Sequence, residues 1–348
     1  MPKLRRFSPI RLIWARRTGR GCGSVGGVTS NPYLSEATAA GAVDHVDVAW
    51  DRGNDQWWDW YMSLADNPAE AGPVVEGPAG WTGPLPADDE LTAELAEPYP
   101  LPAGAVHFFA AQSFVKLPGV LSPGAVERLR RRLRELLDAA VDPAVGFQSL
   151  EMMWLTDPLV RAAVLSPRIG GICAALLRAD RVRLYHDNAL SKESGAGRTP
   201  WHYDAHHFPL DTHDVVTAWA PLQPTPREMG PLAFAAGADA WRLAADIPFD
   251  KHGTSYDRLV SEALRTAGVR VEDGPFAAGE VSFHSSTCLH TAAGNRTTVP
   301  RMVLATTYFA DGARVVEAPT MISGDWQKFV PGTGPGQVVA SERNPVVA

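Results

Sequence analysis

The chain has 348 residues, of which 45% are hydrophobic, so it is long enough for one large domain or two ordinary ones with a sizeable core. Its formal net charge of -7 argues against a nucleic-acid-binding surface. The three cysteines lie far apart in sequence, which excludes a disulfide framework and favours a reducing cytoplasm. No continuous apolar run approaches the ~20 residues of a membrane span. The basic N terminus lacks the apolar segment of a signal peptide, so we predict a soluble, cytoplasmic protein.

The chain is predicted to divide into four segments. Residues 1–30 are basic and glycine-rich and are predicted to be a disordered arm. Residues 31–104 form an extension that is rich first in tryptophan and then in proline and alanine; its indoles are predicted to dock on the main domain, with a substrate lid as the alternative. The folded domain is predicted to cover 105–330, followed by a flexible Gly- and Pro-rich tail at 331–348.

Two helices are predicted from Ser-Pro pairs that precede apolar residues at helical spacing. Ser122 and Pro123 open a segment in which Leu129, Leu133 and Leu137 recur on one face. A second Ser-Pro pair, at 166–167, opens another apolar segment. Both segments are expected to be helices that bury one side.

Beyond Asp180 the sequence changes to short apolar segments separated by Gly, Pro, Asp and Thr. This punctuation is typical of a mainly β sandwich or barrel. The preceding helices are expected to cover one of its sheets.

A dense group of metal-ligating residues lies in TPWHYDAHHFPLD, residues 199–211. On a strand, His202 and Asp204 would share a face and could hold one ion, and His290 could supply a third ligand. Two histidines and one carboxylate leave coordination positions open, as in non-haem Fe(II) oxygenases. His206 would lie on the same face; we predict that it faces the substrate or supports the metal ligands from behind, with a fourth ligand as the alternative.

Three further histidines, His207, His213 and His284, are predicted to be loop or structural residues.

Arg301 follows His290 by eleven residues and begins an apolar strand. A guanidinium is costly to bury without an anion and suits a carboxylate in two-point contact. The position therefore predicts an organic-acid cosubstrate, with a surface ion pair as the alternative.

From about Phe108 to Asp311 the sequence resembles the phytanoyl-CoA dioxygenase family of Fe(II)- and 2-oxoglutarate-dependent oxygenases. The resemblance rests on the segments FVKLPGVLSPGAVERLRRRL, NALSKESGAGRTPWHYDAHHFPLD, TAWAPLQPTPREMGPLAFAAGADAW and HTAAGNRTTVPR. It implies a double-stranded β-helix (jelly roll) core with flanking helices, the N-terminal ones packed on one sheet. The chain departs from the family where AAGADAW replaces a segment like PGSH.

The resemblance also implies the cofactors and their residues. His202, Asp204 and His290 would bind Fe(II), and Arg301 would bind the distal carboxylate of 2-oxoglutarate. Trp219 and Asn188 would lie beside the cosubstrate, and O2 would be the oxidant. Trp201 is predicted, with His206, to be on the substrate side. Lys192 matches a lysine of the family's strand and is interpreted as pairing with a neighbouring acid.

The predicted function is hydroxylation, or another oxidation, of an unactivated carbon in a small organic molecule, with a specialised-metabolite intermediate as the expected substrate. Related iron halogenases carry a small residue at the position of Asp204, so its carboxylate favours hydroxylation. A fatty acyl-CoA hydroxylase of the same family is one alternative. A cupin-like metal-dependent isomerase or binding protein using His202, His206 and His290 is another. An interaction protein that uses the Trp-rich segment is the third. The sequence predicts neither a nucleic-acid nor a membrane partner and leaves the oligomeric state open.

Overall fold

The structure is a computed structural model that describes residues 72–142, 144–247, 255–319 and 326–348. The predicted arm at 1–30 and the tryptophan cluster of the extension lie outside the described residues.

The described residues form seven α-helices and ten β-strands. The helices are α1 Asp88–Ala96, α2 Ala105–Gln112, α3 Pro123–Ala140, α4 Pro158–Val164, α5 Pro167–Leu177, α6 Arg242–Ala245 and α7 Ser255–Thr266. The strands are β1 Phe114–Leu117, β2 Phe147–Glu151, β3 Val182–Lys192, β4 Thr199–His202, β5 Val215–Pro221, β6 Leu232–Ala235, β7 Val271–Glu272, β8 Val281–Ser285, β9 His290–Ala292 and β10 Arg301–Ala310.

The strands form two antiparallel sheets. The large sheet has six strands in the order β1-β8-β5-β10-β3-β2, and the small sheet has four in the order β4-β9-β6-β7. Strands that are distant in sequence are neighbours in both sheets. The mainly β fold of jelly-roll type that the sequence predicts is confirmed.

Both predicted helices begin directly after the serine that caps them. The Ser122 hydroxyl accepts a hydrogen bond from the Ala125 amide at 3.2 Å, and Ser166 does the same for Ile169 at 3.3 Å. A proline follows each cap at the first helical position, where its missing N–H costs nothing.

Helices α1 to α5 cover the outer face of the large sheet. Leu129, Leu133 and Leu137 of α3 are fully buried in one cluster with residues from α1, α4 and α5. Leu304 and Tyr308 of β10 belong to the same cluster. Burying each leucine contributes roughly 1.5–3 kcal/mol, which fixes this helical layer to the sheet and leaves the opposite sheet face free to build a site.

A smaller apolar cluster lies between the two sheets. Phe114 and Trp219 of the large sheet pack with Phe234 and Ala292 of the small sheet. The Phe114 and Phe234 rings stack with centroids 4.7 Å apart. This cluster holds the two sheets at a fixed separation.

The C-terminal residues pack against the domain. Val339 and Asn344 are fully buried, and the Asn344 side chain donates to the Leu184 carbonyl at 3.0 Å. The Val182 amide donates to the carbonyl of Ala348 at 2.9 Å. This differs from the flexible tail that composition predicts at 331–348, because side-chain and backbone hydrogen bonds to β3 replace regular secondary structure.

The described part of the N-terminal extension is also packed. Leu91 and Leu95 of α1 are buried in the same cluster as α3, although they precede residue 105. The core therefore extends beyond the domain boundary that the sequence predicts.

One described segment, Pro158–Leu177, has the length and average composition of a membrane span. This differs from the prediction from sequence, which rested only on continuous apolar runs. It consists of α4 and α5, and half of it is buried inside the protein. Core helices pass the same test of length and composition.

Candidate metal and diacid site

Two of the predicted metal ligands lie side by side on the small sheet. His202 ends β4 and His290 begins β9, and their Cα atoms are register partners in this antiparallel pair. Partners in a register point to the same face of a sheet. Their ring centroids are 4.1 Å apart, and both side chains are buried. Residues 88 positions apart in sequence are thus brought together by one strand pair.

The third predicted ligand lies just beyond the strand. Asp204 begins a 3-10 helix, Asp204–His207, so the extended strand that the sequence suggests ends before it. Its Oδ1 lies 3.7 Å from His202 Nε2 and 3.9 Å from His290 Nε2. The ligand atoms of all three residues lie within 4.8 Å of one another.

The ring orientations suit metal binding. His202 Nδ1 lies 2.8 Å from the Pro200 carbonyl oxygen, and His290 Nδ1 lies 2.9 Å from that of Cys288. A carbonyl can only accept, so each Nδ1 carries the proton and each Nε2 presents a lone pair to the cluster. The donor set fits a divalent first-row ion such as iron.

The charges of the cluster also suit a cation. Burial lowers the pKa of His202 to about 4 and that of His290 well below its usual value, so both imidazoles are neutral near pH 7. Burial opposes ionisation of Asp204, but the adjacent His290, His284 and His202 outweigh it and hold its pKa well below the usual range. The cluster therefore offers two neutral nitrogens and one anion.

A row of polar side chains on the large sheet faces this cluster. The register pairs His186 with Thr307, Thr307 with Thr217, and Thr217 with His284. The Thr217 and Thr307 hydroxyls are 3.1 Å apart, and Thr217 donates to Asp204 Oδ2 at 3.5 Å. Thr217 of the large sheet thus helps to hold the Asp204 carboxylate in position.

His284 belongs to this site, although the sequence reading treats it as structural. Its Nε2 lies 3.4 Å from Asp204 Oδ2, and its ring centroid is 4.6 Å from that of His290. It is buried, and in the described part of the chain its Nδ1 has no hydrogen-bond partner. The alternation of β8, which turns Ser282 and His284 to one face, was the signal that could have revealed it.

The predicted cosubstrate residues lie farther along the same sheet face. Arg301 is buried at the start of β10, and its Nη1 donates to the Gly230 carbonyl at 2.6 Å. Its guanidinium carbon lies 5.4 Å from the Trp219 ring centroid. Arg301 and Trp219, which lie on the neighbouring strands β10 and β5, are therefore in contact.

Asn188 and Lys192 lie on β3 beside β10. Asn188 pairs with Ala305, which in turn pairs with Trp219, and its Oδ1 accepts from the Ser149 hydroxyl at 3.0 Å. Lys192 is the register partner of Arg301. Its Nζ donates to the Thr199 hydroxyl at 3.1 Å and the Ala293 carbonyl at 3.0 Å, so the predicted pairing with an acid is replaced by neutral partners.

The two residues predicted to lie on the substrate side, His206 and Trp201, make contacts outside the three-residue cluster. His206 sits in the 3-10 helix, where strand alternation no longer holds, and its Nε2 contacts the Tyr203 hydroxyl. Trp201 is buried, and its indole N–H donates to the Ser261 hydroxyl of α7 at 3.1 Å. Alternation along β4 turns Trp201 away from the face that carries His202. The cluster of possible metal ligands consists of His202, Asp204 and His290, and it includes neither His206 nor Trp201.

A jelly roll with two histidines and an aspartate close together between its sheets, and a buried arginine on the same inner face, is typical of non-haem metal oxygenases. The sequence profile of the phytanoyl-CoA dioxygenase (PhyH) family matches residues 110–303, and the chain belongs to this family. The family resemblance seen in the sequence is confirmed. The cofactors are those of its family and structural neighbours: iron, 2-oxoglutarate and O2.

Solved structures agree with this assignment. The carbocyclase SnoK, a non-heme alpha ketoglutarate dependent enzyme from nogalamycin biosynthesis, is 26% identical with a TM-score of 0.59, over 71% of this chain and 97% of its own. The epimerase SnoN from the same biosynthesis is 23% identical with a TM-score of 0.56, over 70% and 97%. EctD from S. alaskensis, solved with 2-oxoglutarate and 5-hydroxyectoine, is 18% identical with a TM-score of 0.55, over 81% and 95%. The last two show the shared fold. No curated protein matches this chain.

Proposed function

We propose that the protein is an Fe(II)- and 2-oxoglutarate-dependent oxygenase that hydroxylates an unactivated carbon of a small organic substrate. The observation that carries the proposal is the convergence of His202, Asp204 and His290, whose ligand atoms lie within 4.8 Å of one another. Bound iron supplies the activation of O2 and the oxidation of a C–H bond. Two imidazoles and one carboxylate leave the coordination positions that this chemistry requires.

The residues of the large sheet are assigned to the cosubstrate. Arg301 binds the distal carboxylate of 2-oxoglutarate, and Trp219 and Asn188 flank the molecule between Arg301 and the metal. Support comes from the shared inner face, the burial of Arg301 and its contact with Trp219. A guanidinium in a dry pocket binds a carboxylate through charge-assisted hydrogen bonds.

Asp204 and His284 together favour an oxygenase with a complete ligand set. Asp204 supplies the carboxylate ligand. His284 and Thr217 contact its second oxygen, Oδ2, and hold it in place. Oδ1 is thereby the oxygen that is presented to the metal, which keeps the remaining positions for 2-oxoglutarate and O2.

The substrate class is proposed to be a specialised-metabolite intermediate. SnoK, at 26% identity, belongs to nogalamycin biosynthesis, and SnoN has been solved in complex with Fe3+, alpha ketoglutarate and nogalamycin RO. These relatives catalyse a carbocyclisation and an epimerisation, so hydroxylation is the specific part of the proposal that product analysis must establish.

The function is tested by anaerobic reconstitution with Fe(II) and 2-oxoglutarate, followed by exposure to O2. We expect succinate to form in an O2-dependent manner, slowly without a substrate and faster with one. Asp204→Ala is the matched control and should form none above background. Metal-loaded wild-type protein that neither binds 2-oxoglutarate by calorimetry nor forms succinate would overturn the proposal.

A further inference from the structure

The diacid end of the site holds two cationic side chains on adjacent strands. Lys192 ends β3, Arg301 begins β10, and the two are register partners, so both point to the inner face of the large sheet. Lys192 is 0% exposed and Arg301 is 2% exposed. A lysine is rarely buried this completely without a compensating anion.

The hydrogen bonds of Lys192 are to neutral groups. Its Nζ donates to the Thr199 hydroxyl and the Ala293 carbonyl, and it lies 5.7 Å from the centroid of the Phe147 ring. In the described ranges no carboxylate lies within ion-pair distance of Lys192. The next residue, Glu193, is turned toward Arg134 at 3.1 Å.

Among the described residues, the charged groups that act on Lys192 from the packed elements are both positive. Arg301 of β10 and Arg198, just before β4, each lower the pKa of Lys192, and burial lowers it most. Arg198 is itself paired with Asp257 of α7 at 2.6 Å. Without an anion Lys192 is therefore best accommodated as a neutral amine, and an anion placed beside Arg301 would favour the ammonium.

We propose that Lys192 is a second anchor for the distal carboxylate of the 2-oxo diacid, and that the diacid binds together with one proton, which is taken up by Lys192 Nζ. This inference rests on the proposed function and deepens it. In the proton step the neutral amine takes a proton from solvent, and the ammonium then donates a hydrogen bond to the carboxylate. Lys192 is a positioning residue in this role, because it holds one end of the cosubstrate and touches no reacting atom.

The backbone around the pair supports a single binding pocket. Arg301 donates to the Gly230 carbonyl, and Lys192 donates to the Ala293 carbonyl. A Cβ added to Gly230 would lie 2.2 Å from the Ala293 carbonyl oxygen, so the two acceptors belong to adjoining backbone segments. The two cationic heads are therefore directed to the same corner between the sheets.

The competing reading is that Lys192 is a structural bridge from the large sheet to Thr199 of the small sheet. Lys192→Gln separates the two readings, because glutamine can donate to Thr199 and Ala293 but cannot take up a proton. Lys192→Met removes both the charge and the hydrogen bonds, and serves if the glutamine variant does not fold. Lys328→Gln, at a solvent-accessible lysine paired with Glu151 at 2.7 Å, is the matched control.

The test is anaerobic calorimetry of 2-oxoglutarate binding to the Fe(II)-loaded protein near neutral pH, in buffers of low and high ionisation enthalpy. The comparison ligand is 2-oxopentanoate, which has the same keto acid end but no distal carboxylate. We expect wild-type protein to take up about one more proton with 2-oxoglutarate than with 2-oxopentanoate. Lys192→Gln should lose this difference and bind 2-oxoglutarate about 10- to 100-fold more weakly, while Lys328→Gln matches wild type.

The outcomes separate the inference from the proposed function. Equal proton uptake with the two ligands in wild-type protein would overturn the inference without using any variant. So would wild-type affinity for 2-oxoglutarate in Lys192→Gln, and in both cases the oxygenase proposal stands. If wild-type protein binds iron but not 2-oxoglutarate, the proposed function and the inference both fail.

Discussion

The two ends of the site differ in charge and in the way the fold builds them. The metal end gathers His202, Asp204 and His290 on and beside the short strands of the small sheet. The diacid end places Arg301 and Lys192 on β10 and β3, two long strands inside the large sheet. One end offers a carboxylate and lone pairs, and the other offers N–H donors.

This difference indicates which contacts tolerate change. The metal ligands depend on a turn that begins at Asp204 and on local hydrogen bonds, such as the one that His202 Nδ1 donates to the Pro200 carbonyl. The cationic end is held by a continuous strand register and by the apolar cluster between the sheets. We therefore expect single substitutions to separate metal binding from diacid binding.

The largest effect is expected from removal of a metal ligand. Asp204→Ala should weaken Fe(II) binding by more than about 100-fold, because even outer partners of a metal site are worth about 10- to 100-fold. Metal content after gel filtration and a metal titration measure it. His206→Ala is the control, since His206 contacts Tyr203, and it should keep one iron per chain. Full iron content in Asp204→Ala would contradict the assigned ligands.

Removal of the guanidinium should affect the opposite end alone. Arg301→Met should weaken 2-oxoglutarate binding by about 30- to 100-fold, since two charge-assisted hydrogen bonds are lost, while Fe(II) affinity changes little. Calorimetry of both ligands measures the separation. Arg314→Met, at an exposed arginine, is the matched control. A parallel loss of iron would mean that the two ends are not independent.

A smaller effect is expected at His284, which supports the metal end from the large sheet. His284→Phe should lower Fe(II) affinity by about tenfold, because Asp204 Oδ2 loses its imidazole partner. His284→Gln keeps an N–H donor and should recover most of the affinity. Equal affinities in the two variants would show that the imidazole only fills space.

The smallest effect is expected at Trp201, which the sequence reading had placed on the substrate side. Trp201→Phe removes the indole hydrogen bond to Ser261 and should lower the free energy of unfolding by about 1 kcal/mol. Chemical denaturation measures this loss. Binding of Fe(II) and 2-oxoglutarate should stay unchanged, and a loss of either would return Trp201 to the site.

Much of the fold and of the metal end could be predicted from sequence because the signals are local or recurrent. The caps at Ser122 and Ser166 specify two helices, and His202 and Asp204 stand two positions apart in a β-rich segment. His290 and Arg301 could be named as candidates from the sequence, but their roles were assigned by the family resemblance, because nothing local shows that β4 pairs with β9.

The remaining features depend on register and on a break in strand geometry. His284 comes to Asp204 only because β8 pairs with β5 and presents its even-numbered residues inward. The shared face predicted for His206 relied on strand alternation, which ends where the chain turns into a 3-10 helix at Asp204. The packing of residues 331–348 depends on single buried groups such as Asn344, which composition does not reveal.

Gly230 limits how the pocket could be redesigned. Its backbone has a φ of 70°, a region that disfavours side chains, and an added Cβ would collide with the Ala293 carbonyl oxygen. Its carbonyl also orients Arg301. A library meant to exchange 2-oxoglutarate for another keto acid should therefore leave codon 230 untouched and diversify its neighbours.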